Sequence, residues 1–322
     1  MIELNINYSE EENTRLDKYI FNKLKSFSRT QIQSWIKNGF VFVNNSRKKA
    51  SYRLELSDKV FITVPVLKDD IKLKPEKIEF DIIYEDNHII VLDKPSGLVV
   101  HPGVGNRSKT LVNGLLYHFN SLSDVNGIMR PGIVHRLDAN TSGIMVVAKT
   151  NSAHLSIANQ FQNRTIKKEY NALTWGNWKI KKGQINQPIS RKRKEPTKFI
   201  VDGTGKRSVT KFKVEKQLKH LAEIKFRPKT GRTHQIRVHA NWLNHPLFGD
   251  DKYGGGIQKT KGLIPELRRH YGQIFESFGR HALHAYSLEF LHPKTGKTVT
   301  FKVPNPDDYN YLINKVIKID ER

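Results

Sequence analysis

Residues 131–149 read PGIVHRLDANTSGIMVVAK, and the polar middle of this stretch is where chemistry could reside. His135, Arg136, Asp138, Asn140, Thr141 and Ser142 lie between two apolar runs, Ile133-Val134 and Ile144 to Ala148, which read as strands entering and leaving a buried sheet. Asp138 is the best candidate for a reactive group. A carboxylate can serve as nucleophile or base, and Arg136, two residues away, is a cation that would favour its ionised form. From the residues alone, a loop-capping aspartate paired to a nearby arginine accounts for Asp138 equally well. Ser142 and Ser96 lack the Gly-x-Ser-x-Gly setting of a serine hydrolase.

Several other chemistries fail on composition. The chain has no cysteine, which removes disulfides, thiolate metal sites and thiolate nucleophiles, and with them the zinc deaminases and the cysteine-dependent uridine methyltransferases. There is no G-x-x-x-x-G-K-[ST], and Gly103, Gly105 and Gly254 to Gly256 form no G-x-G-x-x-G between a strand and a helix, so no nucleotide cofactor is expected. His234, His239, His245, His281 and His284 crowd the C-terminal third. No carboxylate accompanies them at metal-ligand spacing, so caps, core contacts and RNA contacts account for them and no metal is expected.

The charge points to a polyanionic partner. Among 322 residues, 55 Lys and Arg face 31 Asp and Glu, a net +24. Residues 161–236 hold 21 Lys and Arg against 5 Asp and Glu, so two-thirds of the excess lies in a quarter of the chain and nucleic acid is the first expectation. No apolar run reaches 18 residues, and the N-terminal MIELNINYSEEEN is acidic where a signal peptide would be basic; a cytoplasmic protein without membrane contact is expected, and a monomer by default.

The elements that would position Asp138 follow from periodicity. Leu16, Ile20 and Leu24 share a helical face, and a second helix of about ten residues runs from Ser28, in a capping box with Gln31, through Ile32 and Ile36 to Asn38-Gly39. Phe40 to Val43 and Val60 to Val64 read as strands, which closes an α-α-β-β unit near residue 67. Residues 68–78, KDDIKLKPEKI, read as a linker. Beyond it, strands are expected at Ile82 to Tyr84, Ile89 to Leu92, Leu98 to Val100, Ile133-Val134, Ile144 to Ala148, Tyr170 to Trp175, Phe212 to Glu215, Ala222 to Arg227 and Leu288 to Leu291. Helices are expected at Thr110 to Phe119, Ser152 to Gln162, Thr233 to Trp242 and Pro265 to Tyr271. Strands outnumber helices without alternating with them, so the fold class is α+β, with a mixed, mainly antiparallel sheet in the larger domain over residues 79–322.

Two resemblances sharpen this. Arg15-Leu16-Asp17, Ser28-Arg29, Gly39, Val41 to Asn44 and Asp58 resemble the small RNA-binding domain named after ribosomal protein S-four, in which the second helix and its following turn face structured RNA. The resemblance makes Arg15, Arg29 and Lys48 RNA-binding residues of an S4-like domain over 1–67. The second covers nearly all of residues 80–300: IVHRLDANTSGIMVVAKT, with VLDKPSGLVVHPG, TLVNGLLYH, KKEYNAL, TGRTHQIRVH, HPLFGDDKYGG and RHALHAYSLEFLHPKTG in the same order, resembles the RluA/RluD family of pseudouridine synthases that modify large-subunit ribosomal RNA. It departs from the commonest pattern at Ala139, where a basic residue is usual. This resemblance implies an isomerase that flips a uridine out of RNA and needs no cofactor. Asp138 would be the nucleophile, Arg237 its basic partner and Tyr170 the ring that stacks on the uracil. Arg136 would fill the vacated space; His135, Thr141, Lys167, Lys168 and Arg232 would contact the substrate, with the Arg191 to Lys194 run on flanking phosphates or else an unstructured surface loop. A transfer RNA substrate, a non-catalytic RNA clamp and an RNA glycosidase that releases uracil are the alternatives.

Overall fold

The computed structural model describes residues 2–9, 13–24, 27, 29–64, 73–103, 105–127 and 129–320. The expected cap Ser28 and the first part of the expected linker, 68–72, lie outside these residues. The chain divides into two compact units, residues 1–74 with 124–131, and residues 75–123 with 132–322. The sequence alone had placed 124–131 within the larger domain.

The smaller unit is a three-stranded antiparallel sheet carrying two helices. Its elements are β1 (Ile2–Asn7), α1 (Leu16–Lys23), α2 (Arg29–Asn38), β2 (Val41–Val43) and β3 (Lys59–Val64), in sheet order β1-β3-β2. Leu16 and Ile20 of α1 and Ile32 and Ile36 of α2 all enter one core with Tyr8, Trp35, Val43 and Ile62, as four-residue spacing on a helix dictates. β1 was not expected, although Ile2, Leu4 and Ile6 alternate with Glu3, Asn5 and Asn7 in the period-two pattern of a half-buried strand. Asp17 is fully buried and accepts hydrogen bonds from Arg15, Arg29 and Gln33, the last at 2.6 Å.

In the larger unit, β4 (Asp81–Glu85), β5 (Ile89–Lys94), β6 (Ser142–Ala148), β7 (Lys167–Trp175), β8 (Lys182–Asn186), β11 (Val209–Gln217), β12 (Leu221–Pro228), β13 (Leu283–Leu291) and β14 (Thr298–Lys302) form one sheet. The order is β4-β5-β6-β13-β7-β12-β11-β8, with β14 paired to β13, and β6 with β13 is the parallel pair in an otherwise antiparallel array. β9 (Ile189–Arg191) and β10 (Phe199–Val201) make a separate hairpin. The helices are α3 (Leu111–His118), α4 (Asn151–Asn163), α5 (Gln235–Trp242), α6 (Pro265–Phe278) and α7 (Asp307–Asp320). Buried side chains of β7, β12 and β13 (Ala172, Ala222, Ile224, Phe226 and Leu283) pack with Ile236 and Ala240 of α5. Tyr309, Leu312 and Val316 of α7 join Phe248 and Tyr271 in a second core, although α7 was not expected. Among the described residues, no helix is long and apolar enough to cross a membrane.

Two expected strands are absent, each for a visible reason. Ile133-Val134 contributes a single bridge, Ile133 to Val147, beside the Ala148 N–H to Gly132 O hydrogen bond; further along, the Val146 N–H of β6 is taken by the His135 ring and not by backbone. Leu98 to Val100 spends its carbonyls elsewhere: Val99 O and Val100 O accept from the N–H groups of Leu111 and Val112 at the start of α3, and Leu98 O accepts from Lys94. The last residues of the expected linker are tied down too, since Glu76 N–H donates to Asn113 O and the His118 ring contacts Ile78 O at 3.0 Å.

Candidate active site

Asp138 lies in the loop that leads into β6, and the loop is anchored from three directions. From beneath, Lys94 at the end of β5 is wholly buried, and its ammonium donates to the carbonyls of Pro95, Leu98 and Ala139 at 2.6, 2.9 and 2.9 Å. Burial pushes this amine down to about 7, but three acceptors around one nitrogen match the three hydrogens of the charged form. From the adjoining turn, Gly97 N–H and Ser96 Oγ hold the carbonyls of Ala139 and Asn140. From β13 and the residues before it, His281 Nε2 lies 2.7 Å from Thr141 Oγ1 and His284 Nδ1 lies 3.0 Å from Ser142 Oγ. Gly143 permits this approach, because at φ 118° a Cβ would lie 2.4 Å from Ala285 O.

The carboxylate itself is held by α5. Arg237 Nη1 donates to Asp138 Oδ2 at 3.0 Å, while Arg237 Nε and Nη2 grip Asp250 at 2.7 and 2.8 Å. Asp250 is buried, so the guanidinium is fixed by a bidentate pair before it reaches Asp138. Gly249 beside it sits at φ 75°, where a Cβ would collide with Arg280 O. His234 Nε2 stands 3.8 Å from the same Oδ2. Burial disfavours charge on Asp138, but the cationic surroundings and the Arg237 hydrogen bond outweigh it and hold the group below the usual carboxylate range. His234 is pushed down to about 4 by burial and is neutral at pH 7, so Arg237 is the cation that counts there. Among the described residues Oδ1 has no hydrogen-bond partner.

Asp138 opens into a cleft of about 560 Å3. His135, Arg136, Thr141, Lys168, Tyr170, Arg232 and Arg237 line it together, so most of the residues singled out in the sequence converge here. Tyr170, on β7, has its hydroxyl pushed up by burial and by the Asp138 charge, and stays protonated. Lys168 donates to Thr230 O at 3.3 Å, and burial lowers its amine to about 8. Arg232 Nε is buried without a hydrogen-bond partner among the described residues. Arg136 is exposed at the mouth.

Three expected contacts are qualified. His135 accepts the Val146 N–H on Nε2 and lies against Phe161, so much of its ring serves the fold. The Thr141 hydroxyl is engaged by His281. Lys167 lies outside the cleft lining and pairs with Glu289 at 2.6 Å. Arg15 and Arg29 belong to the smaller unit, where Asp17 holds both guanidinium groups half exposed, and Lys48 there lies over the Tyr52 ring. Arg191 to Lys194 form the end and tip of the β9–β10 hairpin, closed by Lys192 N–H to Lys198 O at 2.9 Å, rather than an unstructured loop.

The sequence alone assigns no roles to Asp250, Tyr253 or Lys94. Each lies within a quoted motif, HPLFGDDKYGG or VLDKPSGLVVHPG, but nothing in the local spacing shows that Asp250 meets Arg237 or that Lys94 reaches the carbonyl of Ala139.

The chain is similar to known proteins in both sequence and fold. The family profile for RNA pseudouridylate synthase matches residues 88–242, and that for the S4 domain matches residues 14–60. The chain is 41% identical to the uncharacterized RNA pseudouridine synthase YlyB of Bacillus subtilis (strain 168), covering 99% of each chain. It is 37% identical to ribosomal large subunit pseudouridine synthase D of Pasteurella multocida (strain Pm70), over 95% of this chain and 92% of that one. The solved structure of human RNA pseudouridylate synthase domain containing 1 superposes with a TM-score of 0.53 at 25% identity, covering 72% of this chain and 85% of that one.

Proposed function

The chain belongs to the RNA pseudouridine synthase family, and from that premise we propose that it isomerises specific uridines of large-subunit ribosomal RNA to pseudouridine with Asp138 as the reactive carboxylate. The reaction breaks the bond between ribose C1′ and N1 of uracil, turns the base and joins C1′ to C5. One proton leaves C5 and one is gained at N1, so the overall change is redox-neutral and consumes no donor.

The observation that carries the reading is the state of Asp138: ionised, fixed through one oxygen by Arg237 and bare at the other, on the floor of a cleft large enough for a nucleotide. A uridine stacked in RNA cannot reach that floor, so it must be extruded at a cost of a few kcal/mol. Tyr170 then supplies the face on which the uracil stacks. Arg136, exposed at the mouth, occupies the space the base leaves. Lys168 and Arg232 hold phosphates beside it, and the S4 domain adds a second RNA contact through Arg15, Arg29 and Lys48. In this reading the enzyme works as a monomer in the cytoplasm.

The test is a pseudouridine map of ribosomal and transfer RNA from cells lacking the protein, complemented with wild type or Asp138→Asn. Large-subunit sites should vanish and return with the wild type alone, and purified Asp138→Asn should lose on the order of 10³-fold or more in kcat while still binding RNA. Restoration of every site by Asp138→Asn would remove the catalytic assignment; loss confined to transfer RNA would change the substrate.

A further inference from the structure

Beside Asp138 lies a chain of hydrogen bonds that begins at Tyr253, the last residue of the short turn Asp251–Tyr253. The Tyr253 Oη accepts the Phe199 N–H at 3.0 Å and lies 2.7 Å from His234 Nδ1. Tyr253 is buried, so its hydroxyl hydrogen needs an acceptor within the protein. Phe199 is a donor, and among the described residues His234 Nδ1 is the remaining contact of Oη, so the hydroxyl donates to Nδ1. A neutral imidazole then carries its proton on Nε2. Nε2 is the nitrogen that faces Asp138 Oδ2 across 3.8 Å.

His234 caps α5 at φ 56° and ψ 18°, a left-handed conformation that costs energy for a residue with a Cβ. That strained conformation delivers its ring to both Tyr253 and Asp138.

We propose that the Phe199 amide, Tyr253 and His234 form a positioning relay for Asp138. The relay fixes His234 as the Nε2–H tautomer, and this N–H shares Oδ2 with Arg237 so that Oδ1 is the oxygen turned to the substrate. His234 and Tyr253 act through the carboxylate and are positioning residues. The 3.8 Å gap tightens when RNA fills the cleft, as active-site contacts commonly do. The proposal rests on Asp138 being the reactive group.

The test uses the full chain labelled with 15N-histidine. Two-bond 1H–15N correlations report each tautomer, and His234 is identified by its loss in His234→Gln. The expected wild-type pattern at neutral pH is Nε2–H, and Tyr253→Phe should abolish that single tautomer. This variant keeps the aromatic ring that lies 4.9 Å from the Arg237 guanidinium, so the surroundings are preserved. On a ribosomal RNA fragment, Tyr253→Phe should lower kcat by about 10–100-fold with KM unchanged, and should add nothing in a His234→Gln background. His234 found as Nδ1–H or as imidazolium in the wild type, unchanged kcat in Tyr253→Phe, or losses that multiply in the double variant would each overturn the relay. The tautomer is read without turnover, so this failure is distinct from that of the Asp138 assignment, which shows as activity in Asp138→Asn.

Discussion

At the scale of single residues, the candidate site is held in place by buried charged groups set behind Asp138. Lys94 is the clearest case. Replacing it with Met leaves the carbonyls of Pro95, Leu98 and Ala139 without their donor in a buried setting, at a cost of about 1–3 kcal/mol for each. Urea unfolding of Lys94→Met should show a destabilisation of roughly 3 kcal/mol or more, with kcat reduced at temperatures where the variant is still folded. A destabilisation below about 1 kcal/mol would mean that the Asp138 loop is held by its other anchors. Motif resemblance singled out Asp138, Tyr170 and Arg237 as candidates, and the structure brings them to one cleft, but the contacts that Lys94 and Asp250 make left no sign in the sequence. Those contacts come from residues 45 and 13 positions away meeting in space, and the sequence shows only neighbours along the chain.

At the scale of elements, periodicity located helices and central strands well, since Ile20, Ile32 and Val147 must face a core wherever their elements lie. In two places the side-chain pattern misleads or is missing. Leu98 to Val100 looks like a strand and caps a helix instead; β8, at the exposed end of the sheet, has a single buried residue, Ile185, and so no alternation to detect. The β9–β10 hairpin carries a prediction of its own. Glu195 pairs with Lys192 and Lys198 and closes the tip, and the neighbouring Arg193 and Lys194 are exposed. If these two bind phosphates, Arg193→Ser with Lys194→Ser should reduce the slope of log affinity for RNA against log salt by about 0.7–0.9 for each phosphate left without its cation, with kcat at saturating RNA unchanged. An unchanged slope would show that the hairpin tip stands clear of the RNA. In the smaller unit, burial opposes charge on Asp17 while Arg15, Gln33 and Arg29 lower its pKa from 3.8 to about 2. A depressed carboxylate stabilises the fold above its unfolded value and loses that contribution as pH falls through its folded value. The stability gap between wild type and Asp17→Asn should therefore be present at neutral pH, on the order of 1–2 kcal/mol after allowance for half-exposed partners, and should narrow as pH drops from 3.8 toward 2. Thermal melts at stepped pH measure it.

At the scale of the whole molecule, the α+β class, the mixed sheet and the two-part organisation were legible from the balance of strands and helices and from the resemblance. The grouping of residues 124–131 with the smaller unit was not, because it depends on where distant backbone returns. The parallel pairing of β6 with β13 also bears on time. It joins Ser142 to His284, 142 residues apart, and Thr141 to His281 across nearly the same interval. A ribosome adds about 5–20 residues each second, so the Asp138 loop waits on the order of 10 s for the strand that locks it. Through that interval the S4 domain is already complete on the emerging chain and free to fold. On the emerging chain the S4 domain therefore precedes the assembled Asp138 loop, which is completed only once β13 has been made.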